Sequence, residues 1–405
     1  MDINQVHHLA RAQEAAAQMG HVKLPSKSEE KEKVREPLDR VNFSNEVEES
    51  SREGVNKVSV LVDGPPIFSS AKEMIRSAKK SIQVEMFSFS NAEMTDILCS
   101  EAKKGIKVQV LLDPSPGLSA DHEKAKAETV KKLKASGVEV LYYDTNKKHR
   151  QIDHVKLLIV DGKKVLMGGM NWGEHSPMNH DVDLKIEGPA VNYYQKVFDN
   201  AWKKSGGKVI EHEGAKPVEG GSAKVKGLST ELWRYTTIGK QVLSNIEGAK
   251  KYIHLESFVL SDKKVIDALI KAKNERGVDV KVLLAPNGVN EGWNPNGKTF
   301  NKLKSAGIDV KWYQSDTSVK EKLHAKWGVF DGEKIIVGSA NWSYKGLHIN
   351  REIAAEVTDK ESASVLEKQF QYDWNNRSAD TLEDAFVDLG KKLPQKFKYK
   401  SVANE

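Results

Sequence analysis

The chain contains itself twice. Residues 75–117, IRSAKKSIQVEMFSFSNAEMTDILCSEAKKGIKVQVLLDPSPG, align element by element with residues 246–288, IEGAKKYIHLESFVLSDKKVIDALIKAKNERGVDVKVLLAPNG, at an offset of 171. Further on, LKASGVEVLYY (133–143) aligns with LKSAGIDVKWY (303–313), and HVKLLIVDGKKVLMGGMNW (154–172) with HAKWGVFDGEKIIVGSANW (324–342), both at an offset of 170. A period this long marks duplicated domains, because solenoid repeats run at about 20 to 50 residues. At 405 residues the chain also exceeds what one ordinary core serves. Two similar halves in one chain can pack about a pseudo-twofold axis and build one site from facing copies of the same motif.

Each copy reads as helix, strand (SIQVEMFSF; YIHLESFVL), helix, strand (KVQVLLD; DVKVLLA), helix, strand (VEVLYY; IDVKWY), then a hairpin around an Asp-Gly turn. Strands alternating with helices predict an α/β protein: two tandem α/β/α repeats with mixed, largely parallel sheets covered on both faces. The first half is expected over 55–202, opening on NKVSVLVDGPPIF, a strand running into a turn. A linker is expected over 203–230, with six glycines and one proline, and the second half over 231–390. Residues 1–54 hold a single aromatic, Phe43, and alternate charges without an apolar period, which predicts a disordered acidic lead-in with a short helix near 8–19. Residues 391–405 form a basic tail in which KKLPQKFKYK interleaves Phe397 and Tyr399 among lysines.

The single cysteine, Cys99, excludes an intramolecular disulfide and a cysteine-based zinc site. No apolar run approaches the roughly 18 residues of a membrane span, and the first twenty residues lack the apolar core of a signal peptide. Location is therefore expected to be cytoplasmic or peripheral to a membrane, any bilayer being approached from its side. The formal charge is +6, and residues 26–54 carry 6 basic against 9 acidic side chains, so the remainder stands near +9. Such a balance suits anionic partners: nucleic acid, an acidic membrane surface or phosphorylated substrates.

The two copies share His154-x-Lys156-x4-Asp161 and His324-x-Lys326-x4-Asp331. On a strand, residues i and i+2 face the same side, so each His and Lys project together while Val155 or Ala325 faces the core. Seventeen residues past each His stands an asparagine, Asn171 or Asn341, on the strand that returns after the Asp-Gly turn. Asp161 and Asp331 are expected to anchor those turns rather than carry protons.

The doubled motif resembles that of the phospholipase D superfamily, over residues of about 57 to 375, and particularly bacterial phospholipases D and cardiolipin-synthase-like members. The resemblance implies two α/β halves with the active site at their interface, acting on phosphodiesters through a covalent phosphohistidine without metal or cofactor. It implies His154 as nucleophile and His324 as general acid and then base, although the pseudo-symmetry permits the reverse. Asp181 and Glu352, 27 and 28 residues after their histidines, match the acidic position that orients an imidazole. Ser339 follows the family's Gly-Ser pattern and Gly169 departs from it. Chemically, a phosphodiester monoanion needs cations and donors on its non-bridging oxygens, and Lys156, Lys326, Asn171 and Asn341 supply them. Glu85 and Glu256, at equivalent strand positions, are expected to hold the catalytic Lys or Asn. His175 and His180 offer a weak metal pair in the loop after the first motif.

For the substrate, GGMNWGEHSPMNHDVDLKIEGPAV is similar to cardiolipin-synthase sequences, which implies phosphatidyl hydrolysis or transfer at a membrane surface. The alternative is a nuclease of the same superfamily. Loops 113–128 and 285–299, the expected substrate mouth, lack the basic, aromatic-studded character of a single-strand groove, and Leu118, Trp293 and Pro295 could dip into a lipid interface. The tail could serve either partner. A catalytically silent scaffold is the third alternative, against which the full set of motif side chains speaks. A monomer with an intramolecular pseudo-dimer is expected.

Overall fold

The structure, a computed structural model, describes residues 56–115, 119–230, 237–286 and 294–390. Residues 1–54, where a lead-in with a short helix is expected, the tail 391–405, Leu118 and Trp293 lie outside the described residues.

The first half runs β1 (Lys57–Val62), α1 (Gly64–Arg76), β2 (Ser81–Met86), α2 (Ala92–Lys103), β3 (Lys107–Leu112), α3 (Ala120–Ala135), β4 (Glu139–Tyr142), β5 (Lys156–Val160), β6 (Lys164–Gly168), β7 (Val182–Glu187) and α4 (Val191–Lys204). Its sheet has the order β1-β7-β6-β5-β2-β3-β4. The second half repeats the plan with β8 (Lys224–Thr230), α5 (Thr237–Gly248), β9 (Tyr252–Ser257), α6 (Lys263–Arg276), β10 (Asp279–Leu284), α7 (Gly297–Ser305), β11 (Asp309–Tyr313), β12 (Ser315–Asp316), β13 (Lys326–Phe330), β14 (Lys334–Gly338), α8 (Tyr344–His348), β15 (Glu352–Thr358) and α9 (Lys360–Asn376). Two short strands follow, β16 (Ser378–Ala379) and β17 (Phe386–Val387). The second main sheet, β8-β15-β14-β13-β9-β10-β11-β16, matches the first strand for strand and adds β16 at its edge.

Three points differ from the sequence expectation. Within the two main sheets, which are mixed, parallel pairing is confined to β2-β3-β4 and β9-β10-β11, and every other neighbouring pair is antiparallel, while β12 and β17 pair in parallel apart from them. The cause is connection length: helices α2, α3, α6 and α7 carry the parallel crossovers, whereas the tight turns after β5 and β13 can only reverse the strand. The glycine-rich linker ends earlier than expected, since 224–230 is β8, paired along its length with β15. And Asp-Gly-Pro-Pro starts a helix instead of a turn, its prolines standing in the first helical turn, where a missing N–H costs nothing.

The hairpin turns are tied back to the body by their aspartates. Asp161 and Asp331 take left-handed backbone, φ 55° and 57°, each followed by a glycine of positive φ. The Asp161 carboxylate accepts from the backbone N–H groups of Lys79, Lys80 and Ser81, and Asp331 from those of Lys250, Lys251 and Tyr252.

Strand alternation decides which core each residue joins. In β5, Leu157 and Ile159 enter a cluster shared by both halves, while Leu158 and Val160 pack outward beneath α1, α2 and α3. The shared cluster unites the inner faces of both sheets with Tyr194, Phe198 and Trp202 of α4 and Leu366 and Phe370 of α9. Trp327 and Phe370, both 0% exposed, meet edge to face at 6.2 Å between centroids. Burying each contributes about 2–3 kcal/mol to the second half's side of the shared cluster.

Candidate active site

The residues before β5 and β13 are stitched across the halves by main chain. His154 N donates to Arg351 O at 2.9 Å, and His324 N donates to His180 O at 2.8 Å. These bonds draw the start of β15 against the first motif and the start of β7 against the second. The side chains follow. His154 Nδ1 lies 2.9 and 3.0 Å from the Glu352 carboxylate oxygens, and His324 Nδ1 lies 2.7 Å from Asp181 Oδ2. Each imidazole is thus oriented by the acid of the other half, not by the one 27 or 28 residues after it in its own. Both rings are nearly closed off, at 6% and 8% exposed. With Nδ1 donating to a carboxylate, Nε2 keeps its lone pair for chemistry.

The two carboxylates are supported differently. Glu352 accepts from Ser339 Oγ at 2.6 Å and Asn350 Nδ2 at 3.2 Å. Asp181 accepts from Val182 N at 2.9 Å. A Cβ added to Gly169 would stand 2.1 Å from Asp181 Oδ1, so the shorter acid occupies the space that Ser339 fills in the other copy. That accounts for the departure from Gly-Ser: a hydroxyl beside Asp181 has no room. Next to it, burial and the Asp181 charge push the carboxyl of Asp183 up to about 8.

Lys156 Nζ donates to His154 O at 2.6 Å, and Lys326 Nζ donates to His324 O. Phe87 and Phe258 brace each set, with His centroids 4.9 and 4.8 Å away and ammonium groups at 5.1 and 5.0 Å. Neither phenylalanine is marked in a single copy, but the two stand at matching positions of the repeat, which was the available signal. Burial lowers Lys156 to about 7, with Lys326 adding to the effect, and burial lowers Lys326 to about 8. Burial also lowers both histidines, His324 to about 3 with Lys326 beside it. The site is therefore built around neutral imidazoles and ammonium groups held short of full charge, and an arriving anion would restore protons to them.

This gives a pH expectation with a definite sign. An anionic substrate binds the ammonium form, so its KM should rise as pH climbs through 7 to 9, by roughly tenfold per unit for each charge lost. Initial rates against pH with one phosphodiester measure it, and a KM flat from pH 7 to 9 contradicts it.

Asn171 and Asn341 each bury an amide atom, assigned as Oδ1, with no hydrogen-bond partner among the described residues. Such amides are available to a ligand. Glu85 and Glu256 do something other than expected. Glu85 accepts from Arg351 Nε at 2.6 Å and Nη2 at 3.3 Å, and Glu256 Oε2 lies 3.0 Å from His180 Nε2. Both strand glutamates hold the opposite half rather than a catalytic Lys or Asn. His175 is exposed, whereas His180 is buried. Among the described residues His180, Glu256 and Asp373 are the group whose donor atoms, all within 4.8 Å, could surround an ion.

A duplicated α/β protein with paired His, Lys and Asn sets at the junction of its halves defines the class. The family described as "Cardiolipin synthase, PLD-like domain" matches residues 71–202 and 242–374, and the chain belongs to that family. It is 25% identical to the probable cardiolipin synthase YwiE of Bacillus subtilis over 78% of this chain and 66% of that one. It is 26% identical to a cardiolipin synthase of Halalkalibacterium halodurans, over 78% of this chain and 65% of that one. The chain thus spans just under two thirds of the length of these relatives. In fold it is similar to the crystal structure of phosphatidylserine synthase of Haemophilus influenzae, with TM-score 0.63, 13% identity, and 84% and 92% of the two chains covered. Among the described residues no helix is long and apolar enough to cross a membrane.

Proposed function

We propose that the chain moves a phosphatidyl group from one oxygen to another at a lipid surface, through a histidine-bound intermediate. The observation that carries this reading is the pair of buried imidazoles, each oriented by a carboxylate of the opposite half and each flanked by a lysine. Relatives named as cardiolipin synthases favour a phospholipid over other phosphodiesters.

In the first step Nε2 of His154 attacks phosphorus in line, forming N–P as P–O breaks, and His324 gives its proton to the departing alkoxide. Burial and Lys326 hold the His324 pKa down, and the substrate's negative charge, by offsetting Lys326, raises it toward the protonated form that the step needs. In the second step His324, now neutral, takes the proton of water or an alcohol whose oxygen attacks phosphorus and releases His154. Lys156, Lys326, Asn171 and Asn341 meet the non-bridging oxygens throughout. The two lysines supply the charge that a divalent ion provides in other phosphoryl-transfer sites, and the amides add neutral donors.

The test is product identity. Vesicles of phosphatidylglycerol or phosphatidylcholine, with glycerol or ethanol added, should yield the new phosphatidyl alcohol beside phosphatidic acid by mass spectrometry. Turnover should persist in EDTA, rise with anionic lipid and fall with salt, since the chain outside residues 26–54 stands near +9. Cleavage of a single-stranded oligonucleotide with no lipid product would overturn the lipid assignment. Loss in EDTA restored by one divalent ion would overturn the account of charge stabilisation.

A further inference from the structure

Arg351 and His180 occupy equivalent places in the two halves. Each stands one residue before the carboxylate that orients the other half's catalytic histidine, and each reaches a strand glutamate across the junction. One is a permanent cation and the other titrates. We propose that His180 is a buried, positively charged clamp between the halves, a positioning residue that sets Asp181 against His324.

With the carboxylates on both sides ionised, the geometry requires the charge. His180 Nδ1 lies 2.6 Å from Asp63 Oδ1, while Nε2 lies 3.0 Å from Glu256 Oε2 and 3.4 Å from Asp373 Oδ2. A neutral imidazole has one N–H and could satisfy one side only, and ionised carboxylates only accept. The ring is 2% exposed and stacks on Tyr313 at 5.1 Å. Its main chain completes the clamp, since His180 N donates to Lys322 O and His180 O accepts from His324 N. Asp63 adds a second sign of function. Its φ of 68° with ψ of 156° is backbone that glycine normally takes, and its N–H donates to Asp181 O at 2.9 Å. A strained residue thus grips both His180 and the acid after it.

The electrostatic surroundings agree. Burial opposes the imidazolium, but Asp373 and Asp63 outweigh it and hold His180 well above its ordinary value. Burial, with Asp373 close by, raises Glu256 to about 7, and burial raises Asp373. Tyr313 lies on the ring face, with the Arg377 guanidinium 5.0 Å over it and paired to Glu321. The clamp is charged below the raised His180 pKa and is lost as pH climbs through it, leaving Glu256 and Asp373 facing one another.

The turnover arm of the test rests on the proposed function, and the spectroscopic arm does not. In the full chain with 15N-labelled histidine, His180 is assigned by comparison with His180→Gln. Both ring nitrogens should be protonated at pH 7.5, and a neutral tautomer there overturns the proposal. Stoichiometric Zn2+ should leave those resonances and the Tm unmoved, whereas tight binding that shifts them would make the cluster a metal site. His180→Gln should cut kcat about 10- to 100-fold with KM within twofold, and His180→Arg should restore most of it by copying Arg351. A lower Tm with unchanged kcat in His180→Gln would reduce His180 to a structural contact. If His180→Gln does not fold, Asp63→Asn, a change at a half-exposed carboxylate that removes one charge, should lower the His180 pKa and kcat together. No lipid turnover by the wild-type chain alongside a doubly protonated His180 would sink the proposed function and leave the clamp's charge standing.

Discussion

His154→Ala and His324→Ala should each lower turnover of a natural phosphodiester by about four to six orders of magnitude, because one removes the proposed nucleophile and the other the proposed proton carrier. The two can be told apart with a p-nitrophenyl phosphodiester, whose leaving group departs without a proton. On that substrate His324→Ala should release p-nitrophenol in a burst equal to the enzyme concentration and then stall, for want of a base to activate water. His154→Ala should give no burst. The opposite pattern would exchange the two roles, which the near-symmetry of the site allows. Turnover near wild type in either variant would end the composite-site account.

Arg351→Met should destabilise the fold by about 3–5 kcal/mol, the usual effect of removing one partner from a buried ion pair. The guanidinium is the main countercharge of Glu85, which is 0% exposed, and it stands 3.7 Å from Asp153. It also donates to Val197 O and lies 5.1 Å over the Tyr143 ring. Without it Glu85 and Asp153 face each other in a dry core, where burial and Glu85 already hold the Asp153 carboxyl well above its usual range. Adding Glu85→Gln should recover part of the loss, since the pair is better removed whole than halved. Thermal or denaturant unfolding of the single and double variants measures this. A single variant as stable as wild type would mean that the pair carries no such weight.

What could be read from the sequence was local or repeated. The offset of 170 to 171 located both motifs, and period-two alternation placed His154 with Lys156 and Val155 with the core. The exchange of acids could not be read, because it joins residues 198 and 143 positions apart and depends on how two complete halves meet. Glu85 and Glu256 were legible as equivalent strand positions but not as grips on the opposite half, for the same reason. The strand β8 was hidden by composition: KVKGLST looks like linker, and only its pairing with β15 makes it a strand. The start of α1 was legible in principle, since prolines directly after Asp-Gly fit a helix beginning as well as a turn.

Because each imidazole borrows its carboxylate from across the junction, neither half can lose its partner and keep one working copy. A small separation there releases both histidines in one event, so the molecule has no half-active intermediate. Heat or denaturant should silence it in a single step, timed by the parting of the halves and not by the melting of either sheet. Sequence drift is constrained in the same way, since a change at either acid is felt by the motif of the opposite copy and the two repeats cannot diverge independently.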